Sequence, residues 1–139
     1  MRFLTIILLF NLSSATNFES TGNNWISMKK NEKLFFLEGF FVSQITLNKY
    51  LQDAIKYDSS GDPYWQKPFV LVMYEQNLKE FSSSKIGINT MKISDYLDAF
   101  YQDSQNIKIP ILEAIRIISL RADGNIERAD WFILKNLQN

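Results

Sequence analysis

Leu34, Leu37, Phe41 and Ile45 recur at steps of three and four residues, and Leu47, Leu51 and Ile55 continue the rhythm. That period predicts an amphipathic helix from Ser27 to about Lys56. Phe35, Phe36 and Phe40 widen its apolar stripe, so burial on more than one side is expected. Gly39 falls in the middle, where it costs ~1 kcal/mol relative to Ala, and the close approach of another backbone or ring would account for it. Ile45-Thr46 is β-branched and marks a place for a break.

The periodicity stops at Tyr57–Lys67, where Ser, Gly, Asp and Pro cluster and Asp62-Pro63 favours a turn. Asp58, Ser60 and Asp62 alternate as in a calcium loop. The positions that such a loop gives to Gly and Glu are held by Pro63 and Phe69, so a solvated turn is expected. Tyr64 and Trp65 are large aromatics in this polar setting. They either fold back on the core or form an exposed recognition patch. Pro68–Phe81 reads as a helix opened by Pro68, with Phe69, Val72, Met73 and Leu78 on its apolar side. A buried strand over Phe69–Met73 is the alternative.

A further helix is predicted from Asn89 or Thr90 to about Ser104, with Ile93, Tyr96, Leu97 and Phe100 as its apolar face. Gln105-Asn106 breaks it, and Pro110 is placed to start the next. Ile111, Leu112, Ala114, Ile115, Ile118 and Ala122 form a broad buried stripe that leaves Glu113, Arg116 and Arg121 outside. Gly124 is a natural stop and Asn125 a cap for a last helix carrying Ile126, Ala129, Ile133 and Leu137. The expectation is all-α: one helical domain of four or five helices over 25–139, in which Asp103 and Asn106 hold the corner between two of them.

Composition removes several function classes. Fifteen basic residues offset fifteen acidic ones without a long block of either sign, so no nucleic-acid stripe or polybasic membrane patch is present. Neither Cys nor His occurs. Disulfides, thiolate nucleophiles, Ser-His-Asp and Cys-His catalysis, and Cys- or His-ligated metals therefore drop out. No cofactor and no metal is expected, and the chain is read as non-enzymatic. Asp95, Asp98, Asp103 and Glu113 form the densest acidic set. Asp98 or Asp103 in a carboxylate-dependent hydrolase is the alternative. Capping and anchoring of helices is the plainer role for these groups.

Residues 1–15 have the make-up of a secretory signal: Arg2 near the start, an apolar run from Phe3 to Leu12, and small residues at Ser13 and Ala15. The run is about half of the ~20 apolar residues that a spanning helix needs. Cleavage after Ala15, export to the periplasm and no stable membrane span afterwards are expected. Residues 16–24 read as a disordered polar segment.

The stretches DAFYQDSQNIKIPILEAI (98–115) and DGNIERADWFIL (123–134) resemble a carboxy-terminal segment of small exported bacterial proteins of unknown function. Trp25, Lys33 and Gly39, and then Tyr101, Asp103 and Asn106, match the pattern of that group. The group in turn loosely resembles the Rap/Tai-type immunity proteins, which are small helical periplasmic inhibitors of cell-wall amidases. An aromatic-rich chain without the standard catalytic groups points to a binding module whose partner is another protein, and the resemblance implies an immunity-type inhibitor of a cell-wall-degrading enzyme. The residues singled out for binding are Tyr64, Trp65, Tyr101, Asp103 and Asn106. A structural protein of the cell envelope is a further alternative.

Overall fold

The computed structural model describes residues 20–138 and is all-α. The proposed signal at 1–15 lies outside the described residues. Among these there are six α-helices: α1 Gly22–Ser27, α2 Lys30–Ser59, α3 Phe69–Lys79, α4 Thr90–Phe100, α5 Ile111–Ala122 and α6 Ile126–Gln138. A 3-10 turn, Ser104–Lys108, separates α4 from α5. None of these helices is long and apolar enough to cross a membrane.

α5 is the centre of the molecule. Ile111, Ala114, Ile115, Ile117, Ile118 and Leu120 are all buried, and α4 and α6 pack along it. The expected stripe holds except at Leu112, which is exposed. Pro110 stands one residue earlier than expected, as the N-cap of α5 rather than its first residue. Its lack of an N–H matters little there, since the first helical turn leaves its donors unpaired in any case. Gly124 ends α5 with φ of +86°, a backbone region that glycine enters without Cβ strain. Asn125 then opens α6, its carbonyl accepting from the Ala129 N–H at 3.1 Å.

Residues 20–24 are not the unstructured polar segment that composition implied. The Ser20 carbonyl accepts from the Ile111 N–H at 2.8 Å, and the Asn24 side chain accepts from the Thr21 N–H at 2.9 Å. Gly22 lies under the Tyr101 ring, where a Cβ would come within 2.5 Å of ring carbon. Gly22 is thus the glycine required by close approach. Gly39 has open space around it, contrary to the packing expected there.

α2 runs unbroken through Thr46 and is buried on one side only, at Leu37 and Phe41. Phe35, Val42, Ile45 and Leu47 are exposed. Length explains this. At 1.5 Å per residue α2 is about 45 Å long, whereas α4 and α5 are about 17 Å each. The body can cover only the first part of α2. The remainder projects past it and meets α3 alone. Along that seam Gln44, Leu51, Ile55 and Ser59 are half-buried. Gln52 donates to Glu75 at 2.8 Å, and Lys67 closes the hairpin with a 2.8 Å ion pair to the same carboxylate. Those two contacts, Lys67 first, hold the Glu75 carboxyl below its ordinary range. No residue of α3 is fully buried.

Arg116 corrects another expectation. It is not left outside but lies half-buried, its guanidinium 3.8 Å from the Phe132 ring centroid and paired with Glu80. Asn77 accepts a further bond from it at 3.2 Å. A cation over an aromatic face retains favourable electrostatics while its stem packs as a hydrocarbon. Arg116 thereby ties the end of α3 to α5 and α6.

Candidate protein-binding surface

The residues singled out from the sequence fall into two parts of the fold. Tyr101, Asp103 and Asn106 come together at the α4–α5 corner. The Tyr101 hydroxyl donates to the Ile109 carbonyl at 3.0 Å, and the ring is buried, which raises its pKa above the usual phenol value. The Asp103 carboxylate accepts from the Gln105 N–H at 2.9 Å and caps the 3-10 turn. The Asn106 amide donates to the Phe100 carbonyl at 2.9 Å, satisfying an acceptor left free where α4 ends. Each polar group here serves the backbone of the corner, and the phenol faces inward.

Two members of the acidic set have basic partners of their own. Asp98 accepts from the Trp25 indole N–H and from the Lys33 ammonium, both at 2.7 Å. Glu113 lies 4.0 Å from Arg116. Among the described residues no group of three or more acids is arranged to hold a metal ion. Trp25 and Lys33, matched above by resemblance, are thus joined through Asp98. Nothing in the spacing of the chain marked Asp98 as their partner.

Tyr64 and Trp65 part company. Asp62 sets their turn: its carboxylate accepts from the Tyr64 N–H at 2.9 Å and its carbonyl from the Trp65 N–H at 3.2 Å. The Trp65 indole donates to Asp58 at 2.8 Å and the ring is half-buried. Tyr64 does not fold back on the core. It is 88% exposed.

Tyr64 leads into an exposed apolar face. α3 turns Leu71, Glu75 and Leu78 inward, half-buried, at steps of four and three. Phe69, Val70, Met73 and Tyr74 occupy the remaining face and are exposed, Phe69 by 75%. Aromatic side chains with a polar tip are enriched where proteins meet one another. Sequence reasoning assigned Phe69 and Met73 to the core side of this helix. The face could not be chosen without knowing which elements lie beside α3.

A groove of about 740 Å³ lies between the start of α5 and the end of α6, with Lys108, Glu113 and Lys135 on its wall and Leu112 and Leu137 among its apolar lining. Ser20, where the described chain begins, is part of the same wall. No family model, curated protein or solved structure matches the chain.

Proposed function

We propose that the protein is an exported, non-catalytic binding module that engages another protein through Tyr64 and the outer face of α3. The exposure of Tyr64, Phe69, Val70, Met73 and Tyr74 on one helix and the turn before it carries this reading. An apolar face of this kind is unusual on a surface with no partner. Its aromatic members offer large contact area with few rotors to immobilise. The corner at Tyr101, Asp103 and Asn106 supports the reading from the opposite side, because its polar groups are taken up by the backbone. The signal-like make-up of residues 1–15 supports export, and the proposed compartment is the periplasm. In the immunity-type form of the proposal the partner is a cell-wall-degrading enzyme, and binding inhibits it.

A photo-cross-linking residue at Tyr64, Phe69 or Tyr74 in the native envelope tests the surface. The expected result is one shared protein adduct from these three positions and none from Gln102 at the far corner. Adducts from Gln102 alone would overturn the assignment. If the captured protein is a wall hydrolase, adding the purified chain should inhibit it in proportion. Full hydrolase activity in the complex would discard the immunity form while leaving the binding surface in place.

A further inference from the structure

Leu112 is the one member of the α5 stripe left exposed, by 43%. Across the groove at the start of that helix, Leu137 of α6 is exposed by 40%, and Phe36 of α2 adds to the apolar lining. At about 740 Å³ the groove is of the size that ordinarily holds a small ligand. The chain itself leads into it. Thr21 pairs antiparallel with Pro110, and the Ser20 carbonyl accepts from the Ile111 N–H at 2.8 Å. As α5 advances from Pro110 toward Leu112, its antiparallel partner therefore runs from Thr21 back toward Glu19. Ser20 already stands on the groove wall. Extended backbone turns side chains two apart to the same face, so the next residue on the face of Ser20 is Phe18.

We propose that Phe18 occupies this groove, with residues 17–19 laid along the first turn of α5 as a strap from the same chain. The reach is short. Two extended residues span about 7 Å, so the Ser20 bond holds Phe18 near Leu112 at little further cost in chain entropy. The charge agrees. Glu19 is the only ionisable side chain in residues 16–20, and it falls beside the start of α5, the positive end of the helix dipole. The wall carries Lys108 and Lys135 against the single acid Glu113.

The strap accounts for Leu112. Its place in the apolar period of α5 is matched by no helix, and the Phe18 ring covers it together with Leu137. A groove of ligand size is then closed by the chain's own residues, and α1 is tied to the start of α5 on both sides of Ser20. The strap is independent of the α3 surface. It is equally independent of the removal of residues 1–15, since 16–19 are present either way.

Isotope-edited NMR of the purified chain tests the strap without any substitution. Overhauser contacts should join the Phe18 ring protons to the methyl protons of Leu112 and Leu137. In an equal mixture of labelled and unlabelled chains, these contacts should stay within one chain. Phe18→Ser should speed exchange of the Ile111 amide by about tenfold, because the apolar contact that holds the Ser20 bond is lost. Phe35→Ser, at an exposed position of α2, should leave that amide unchanged. A Phe18 ring without contact to either leucine would overturn the proposal. Contacts that pass between chains would put a second copy in the groove and overturn it as well, as would an Ile111 amide indifferent to Phe18→Ser.

Discussion

The indole N–H of Trp25 donates to the carboxylate of Asp98 at 2.7 Å, joining residues 73 positions apart in the chain. Trp25 is fully buried, whereas the Asp98 side chain is 46% exposed. The pair lets a large indole fill the core while its one polar atom reaches an acceptor at the edge. Lys33 completes the cluster from α2, and its ammonium lies 5.1 Å from the indole centroid. Removing the acceptor is therefore worse than neutralising it. Asp98→Ala should cost about 1–3 kcal/mol by stranding the indole N–H. Asp98→Asn keeps an acceptor and loses only a solvent-screened ion pair, so its cost should stay under about 1 kcal/mol. Urea unfolding of the two variants compares them directly.

Tyr101 makes stability depend on alkaline pH. Burial raises its pKa, so the folded state keeps the phenol protonated where the unfolded chain begins to ionise. Stability is retained below about pH 10 and falls as pH rises above that unfolded-state value. Tyr101→Phe should remove this part of the alkaline loss. At neutral pH it should cost about 1–2 kcal/mol, because the Ile109 carbonyl loses its donor. Thermal midpoints measured from neutral to strongly alkaline pH would show both effects.

Asn106→Ala should destabilise the fold by about 1–3 kcal/mol by leaving the Phe100 carbonyl without its donor. Equilibrium unfolding measures this, and amide exchange should accelerate first around 101–109.

The two glycines at the start of the chain should respond in opposite directions. Gly39→Ala meets open space on an exposed helical surface, so it should stabilise by up to about 1 kcal/mol. Gly22→Ala drives a methyl into the Tyr101 ring and close to the Ile107 carbonyl, and should cost about 1–3 kcal/mol. A single denaturation series on both variants suffices.

Where a helix is covered on several sides, its period alone predicted its burial. The stripe of α5 from Ile111 to Ala122 is the clear case, with Leu112 its one exception. The stop at Gly124 and the role of Asn106 were also legible, because both depend on local backbone chemistry. α2 was not. Its period is as regular at Leu47 as at Leu37, but no local signal states that the body is too short to reach Leu47. Gly39 was misread for the same reason. Arg116 was placed outside because its charge was weighed without Phe132 and Glu80, which lie on other helices. At the candidate surface, Tyr64 was named with two fates left open, and at 88% exposure it does not fold back on the core. Phe69, Val70 and Tyr74 had no such marker, since an apolar residue beside a core and one beside a partner look alike in sequence.

The most direct measurement is quantitative capture of envelope protein by the purified chain and by a Tyr64→Ser, Phe69→Ser, Val70→Ser variant. All three positions are mostly exposed, so the variant should unfold at nearly the same temperature as the parent. The account predicts that the partner recovered by the parent is lost from the variant by more than about tenfold, or about 1.4 kcal/mol. Equal recovery by the two chains, with equal thermal midpoints, would contradict it.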